Sequence, residues 1–239
     1  MTSKEFAHLH VHTEYSMLDG AAKVKKLIAE TKAQGQKSVA ITDHGYCFGA
    51  YEFYKAARSA GIKPIIGIEA YVTPGTSRFS SDRMLWGDEG QRADDVSARG
   101  AYTHMTLLSE NNTGLHNLFR MSSKASLEGQ MGKWPRMDRD LLETHHEGLI
   151  ATAGCPSGEV QTRLRLGQFD EAYRAAGQMQ ELFGKDNYFV EVMDHDNSIE
   201  RRVSKELLEL AKKIGAPVIA TNDSHYVRAE DAPIQDAML

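Results

Sequence analysis

The feature that most restricts what this chain can fold into is a rhythm. Short β-rich apolar runs alternate with stretches whose apolar residues recur at helical spacing. Residues 8–12 (HLHVH), 38–42 (SVAIT), 64–73 (PIIGIEAYVT), 102–109 (YTHMTLLS), 148–153 (GLIATA), 188–193 (YFVEVM) and 217–221 (PVIAT) read as strands. Between them, 22–34 carries Val24, Leu27, Ile28 and Thr31 on one face and stops at Gly35, while 51–60 stops at Gly61. Residues 114–125, 138–143, 169–183 and 199–214 read as further helices, and 129–137 as irregular. Strand and helix in alternation predict parallel βα units of the α/β class, closed into a barrel or left as an open doubly wound sheet.

With 239 residues, no internal repeat and no sharp change of composition, a single domain with a sizeable core is expected. No apolar run reaches membrane-spanning length and the start lacks an export signal, so a cytoplasmic location without membrane contact is the default. Two cysteines, Cys47 and Cys155, read as thiols, Cys47 structural. The net charge of −5 argues against a basic coat for non-specific nucleic-acid binding, but bound metal would add positive charge that this count omits. The rhythm breaks at 74–100, which reads as a lid, a docking surface or a disordered loop.

The chemistry-bearing residues collect at strand ends. In a strand, His8, His10 and His12 share one face, and Asp19 follows the turn. His44 ends the second strand in TDHG, Glu69 sits among apolar neighbours in the third, and His104 lies in the fourth. Cys155 ends the fifth, and Asp223 and His225 end the seventh in TNDSH; Glu191 and Asp194 of the sixth rank lower. A buried Glu69 costs several kcal/mol, roughly, unless a cation or strong hydrogen bonds compensate it. Each residue alone has a bland reading as turn, cap or small buried group; together they suit two or three divalent ions sharing a bridging carboxylate. Imidazole, carboxylate and thiolate favour zinc, with manganese or iron at positions lacking the thiolate. Three such ions outweigh Asp19, Glu69, Asp223 and a Cys155 thiolate, so the filled site would attract an anion, and paired metals suit in-line displacement at phosphorus.

HVHT with YSMLDG, TDHG, GIEAYV, His104, GCPSGEV and TNDSHYV resemble the polymerase and histidinol phosphatase (PHP) domain at the amino terminus of bacterial replicative DNA polymerase III alpha subunits. FRMSSKASLEG and YFVEVMDHDN are similar to the replicase branch. The resemblance implies a distorted seven-stranded (β/α)7, TIM-like barrel with a trinuclear centre at the carboxyl ends of its strands. It implies one ion on His10, His12, Glu69 and Asp223, a second on Glu69, His104 and Cys155, and a third on Asp19, His44 and His225. Many relatives of phosphatase type have histidine where Cys155 stands. All nine positions match, so the resemblance implies a working 3′–5′ proofreading exonuclease, with Asp19, Glu69 and Asp223 as catalytic residues. It also implies partners: a single-stranded or frayed DNA 3′ end, the rest of a polymerase chain and other replisome subunits. The expected domain spans 1–239, with the barrel at about 5–228, the loop at 74–101, and 229–239 the start of a helix leading into polymerase regions. A metal-stabilised, non-catalytic scaffold and a small-molecule phosphatase are the alternatives.

His8 is expected in a supporting or solvent position, and His116, His145, His146 and His195 on the surface. Asp43 is expected to orient the chain. Arg78, Arg83, Arg92, Arg99, Arg136 and Arg139 could meet phosphates, although a solvated charge is the ordinary reading of each.

Overall fold

A computed structural model describes residues 6–87 and 96–239. They fall into two compact units, Met1–Glu69 with Thr221–Leu239, and Ala70–Ala220. In the first unit, α1 (Val24–Ala33), β1 (Ser38–Ile41), α2 (Ala50–Ala60) and the start of β2 (Lys63–Val72) follow one another. β1 and β2 pair in parallel, with Ser38 opposite Lys63 and Ile41 opposite Ile66. Val24, Leu27 and Ile28 of α1 are buried, as are Val39, Ile41, Phe53 and Ala57.

The opening segment 8–12 is extended and bonded on both sides without forming a regular strand. Ala40 N–H donates to the His8 carbonyl at 2.8 Å and Thr42 N–H to that of Val11 at 2.9 Å, while His12 N–H donates to the Ser224 carbonyl at 2.8 Å. Val11 N–H turns to the Thr42 hydroxyl at 2.8 Å instead of a backbone carbonyl. That side-chain substitution interrupts the ladder, which explains why the alternation HLHVH does not yield a full strand.

In the second unit, β3 (Thr103–Ser109), α3 (Asn112–Glu128), β4 (Gln130–Met131), β5 (Trp134–Met137), α4 (Arg139–His145) and β6 (Leu149–Thr152) come first. Next are α5 (Glu159–Arg165), α6 (Phe169–Phe183), β7 (Tyr188–Val192), α7 (Ser198–Ile214) and β8 (Val218–Ala220). The sheet runs β4, β5, the end of β2, β3, β6, β7, β8. Asn111, Asp138 and Asn197 cap α3, α4 and α7 through their side-chain oxygens, which fixes where these helices start. Leu107, Leu118, Met121, Met137, Leu142, Leu149, Tyr188 and Leu207 are buried in its core.

Three further expectations change. β3 runs antiparallel to β6, with Leu107 opposite Ala151, whereas β6, β7 and β8 are mutually parallel. Second, 129–137 is not irregular: β4 and β5 form a short antiparallel hairpin, and β5 pairs in parallel with Tyr71 and Val72.

Third, the described start of the long loop is anchored, and the solvated-charge reading fails at two arginines. Arg78 is buried, with Nη1 2.7 Å from Asp138, Nε 2.8 Å from Glu128 and its backbone N–H donating to Asp138 at 2.9 Å. Arg136 is also buried and donates to the carbonyls of Gly129, Arg78 and Ser80 at 3.1, 3.1 and 2.7 Å. Buried guanidiniums need such partners, and both are spent on holding the chain. Arg83 and Arg99 are exposed, Arg139 pairs with Glu143 on the surface, and Arg92 lies outside the described residues.

Candidate metal centre

The first unit brings seven of the nine sequence-derived ligands together. His10 and His12 come from the opening segment, Asp19 from the turn beyond it, His44 from the end of β1, Glu69 from β2, and Asp223 and His225 from the segment after β8. His10 Nε2 lies 3.2 Å from Glu69 Oε1 and 3.3 Å from Asp223 Oδ1. His12 Nε2 lies 3.4 Å from Glu69 Oε2 and 3.1 Å from Asp223 Oδ1. One ligand-type atom from each of these four residues falls within 4.8 Å of the other three. His10, His12 and Glu69 are buried, so two carboxylates converge on two imidazoles where little water can screen them. That donor set fits a divalent ion: borderline nitrogen and hard oxygen, charge to neutralise, and close spacing.

A second group adjoins it. His44 Nδ1 is 2.7 Å from Glu69 and its Nε2 3.2 Å from Asp19, whose other oxygen is 3.6 Å from His225 Nε2. The rings of His44 and His225 both stack against His12, with centroids 4.1 and 4.2 Å away. The electrostatics divide these imidazoles. Burial, reinforced by the neighbouring His44, pushes His12 down to about 3, so it is a neutral nitrogen donor. Burial also opposes charge on His44, but Glu69 and Asp19 outweigh it and raise His44 to about 10. Asp223 is desolvated as well, yet the His10 and His12 rings hold its carboxyl well below the usual range.

Local structure aims these groups. Asp43, buried next to His44, accepts the Thr13 backbone N–H at 2.6 Å and the Ser16 hydroxyl at 2.7 Å. Ser16 Oγ, its proton given to Asp43, lies 3.1 Å from His12 Nδ1. The network therefore assigns the proton of His12 to Nδ1 and leaves the Nε2 lone pair facing Glu69 and Asp223. His225 is held similarly, its Nδ1 2.8 Å from the Asp223 carbonyl. Asp223 itself sits at φ 44°, a left-handed conformation that costs energy and that, among non-glycine residues, Asp and Asn tolerate best. Gly20 closes the turn: a Cβ there would run into the Thr13 carbonyl. Ser16 was not foreseen. Its only sequence signal is its place four residues after His12 in HTEYS.

The remaining two residues meet in the second unit. Cys155 Sγ is buried and 3.5 Å from His104 Nδ1. Residues 154–158 lie along the start of β3, with His104 N–H donating to the Ser157 carbonyl at 3.0 Å. Gly154, at φ 83°, permits that approach, because a Cβ would sit 2.6 Å from the His104 carbonyl.

The other candidates stay apart. His8 packs edge-on to Phe6 and lines a separate cavity of about 220 Å³ with Leu27, Thr31 and Tyr226. Glu191 is buried and accepts the Thr152 hydroxyl at 2.5 Å, Asp194 is exposed, and His116 and His195 are on the surface. His145 and His146 are partly exposed.

The PHP domain model matches residues 8–195, most of the chain. The chain belongs to the PHP domain family. The PHP chain is 58% identical over 234 residues to the DNA polymerase III subunit alpha of Mycobacterium tuberculosis, covering 98% of this chain and 20% of that protein. It is 43% identical over 239 residues to the same subunit of Treponema pallidum, covering 100% and 19%, and 43% identical over 237 residues to that of Thermus aquaticus, covering 98% and 18%. The PHP chain thus spans about a fifth of the length of these relatives. In fold it is similar to a candidate metal-dependent phosphoesterase from Bifidobacterium adolescentis, with a TM-score of 0.51, 16% identity and coverage of 93% of this chain and 88% of that one. An amidohydrolase from Chromobacterium violaceum gives a TM-score of 0.54 at 15% identity, covering 97% and 96%. The fold is α/β, of the PHP type.

Proposed function

We propose that this PHP chain is the metal-dependent 3′–5′ exonuclease domain of a bacterial DNA polymerase III alpha subunit, hydrolysing phosphodiester bonds at DNA 3′ ends in the cytoplasm. The observation that carries the reading is the convergence of His10, His12, Glu69 and Asp223 on one point. The high identity to polymerase subunits supports the assignment to a replicative polymerase.

On this reading His10, His12, Glu69 and Asp223 hold one ion and Asp19, His44 and His225 a neighbouring one, while His104 and Cys155 contribute to a third. The set favours zinc, with manganese or iron suited to the positions without thiolate. Bound divalent ions supply Lewis acidity at phosphorus and offset the charge that develops on its oxygens. The protein's part is to present ligands in the right state. Ser16 and Asp43 fix the His12 tautomer, Glu69 lies within reach of both groups, and Asp19 with Asp223 offers the carboxylates nearest the exposed side. The partners would be a frayed primer end, the remainder of the polymerase and other replisome subunits.

The test is metal content measured together with degradation of a 3′-mismatched primer, with and without chelator. Asp19→Asn and Asp223→Asn, each still folded, are expected to lose at least about 100-fold in rate, by analogy with the 10- to 100-fold cost of disturbing groups that only support a ligand. Full activity in both variants would overturn the assignment. A metal-stabilised scaffold predicts metal content without degradation by the wild-type protein.

A further inference from the structure

Four large apolar side chains stand in solvent beside the carboxylate and imidazole groups of the first unit. Met17 and Leu18 are 72% and 68% exposed, Phe48 65% and Tyr51 73%. Scattered singly, such residues need no explanation; here Met17 and Leu18 share one loop, Phe48 lies in the loop leading into α2, and Tyr51 lies in the first turn of α2. The Tyr15 hydroxyl donates to Glu52 of α2 at 2.6 Å, and His44 N–H donates to Ser16 Oγ at 3.3 Å, so the loop carrying Met17 and Leu18 is fastened to the loop leading into α2. Asp19 follows directly after Leu18, and its Oδ2 is 3.2 Å from His44 Nε2. The apolar patch therefore borders the candidate metal centre.

Its chemistry is that of a stacking surface. The rings of Tyr46 and Phe48 lie nearly parallel, with centroids 4.4 Å apart and planes inclined by 13°. Lys55 Nζ sits 5.3 Å over the Tyr51 ring, setting a cation among the aromatic groups. Met17 and Leu18 both have positive φ, 42° and 67°, conformations that non-glycine residues rarely keep. Aromatic faces interleaved with a cation, next to a site for phosphorus chemistry, match how single-stranded nucleic acid is held: bases stack, and the backbone meets positive charge.

We infer that Phe48 and Tyr51, together with Met17 and Leu18, form a platform for the terminal bases of a single strand, holding its last phosphodiester beside Asp19 and His44. The inference rests on the proposed reading of the site as a nuclease. It makes these four residues specificity determinants: they separate a nucleic-acid end from a small phosphoester that has no base to stack. Because every base offers a flat face, the selection is by single-strandedness and not by sequence.

The test compares the metal-loaded chain with Phe48→Ala and with Met17→Ala combined with Leu18→Ala. All three positions are exposed, so the fold is not at stake, and a thermal melt checks this. Two quantities are read: binding of a fluorescent oligothymidylate by anisotropy, and the ratio of kcat/KM for that oligonucleotide to kcat/KM for methyl p-nitrophenyl phosphate. Each variant is expected to weaken binding about tenfold and lower the ratio by a similar factor, the size of one lost stacking contact. Phe48→Trp is expected to restore both, whereas Phe48→Leu is not. Unchanged binding in both variants would overturn the inference and leave the patch to a protein neighbour. If the wild-type chain hydrolyses neither substrate, the nuclease reading fails, and anisotropy alone still decides whether Phe48 holds a base.

Discussion

Ser16 shows how much of a site can hang on one hydroxyl. Its oxygen stands between His12 Nδ1 and the buried Asp43 carboxylate, and the His44 N–H donates to it as well. Ser16→Ala should leave the fold in place, release the His12 ring and weaken metal affinity by about 10- to 100-fold, measurable by competition with a coloured chelator. His44 gives a pH prediction for the metal-free chain. Its folded value, about 10, lies above its ordinary 6.5, because Glu69 and Asp19 outweigh the opposing effect of burial. The protonated ring thus contributes stability that is complete below about pH 6.5 and is lost as pH rises through about 10. Urea melts in chelator should show a decline across that window, and His44→Gln should flatten it. Asp43 and Glu69 are both buried carboxylates, but hydroxyl and amide donors face the first and imidazoles the second.

At the scale of elements, the two buried arginines set the path of the chain after β2. Removing Arg78 would strand Asp138, which is buried, caps α4 and has Arg78 as its ion-pair partner. Arg78→Ala should therefore destabilise the chain by about 3–5 kcal/mol, the usual cost of breaking a buried pair. Arg139→Ala, which removes only a surface pair with Glu143, should cost about 1 kcal/mol or less. Urea denaturation of both variants checks the contrast. The hairpin of β4 and β5 makes a related point: its residues WPRM carry no clear alternation, and pairing with Tyr71 and Val72 is what makes a strand of them.

For the molecule as a whole, metal and stability are linked. A divalent ion that binds the folded chain alone should stabilise it by about 2.7 kcal/mol at a concentration 100 times its dissociation constant. Thermal melts with zinc or manganese should shift upward accordingly, and Asp223→Asn should abolish most of the shift. Among the described residues, no helix is long and apolar enough to cross a membrane.

The strand and helix alternation, and the placing of His44, Asp223 and His225 just beyond strand ends, were legible in the sequence because both follow from local periodicity and turn chemistry. So was Asp19 as a turn carboxylate. Glu69, by contrast, lies inside β2, and His10 and His12 lie in an extended segment that is not a regular strand. The motif resemblance sets His8 apart from His10 and His12, and the tertiary structure decided what each of them meets: His8 lines a separate cavity, while His10 and His12 face carboxylates 59 and 213 residues or so along the chain. It also decided that β3 runs antiparallel to β6, that Arg78 and Arg136 are buried braces, and that Ser16 orients His12. The physical reason is the same in each case. Hydrogen-bond partners and burial depend on groups far apart in sequence, and one-dimensional spacing carries no record of which distant group will arrive.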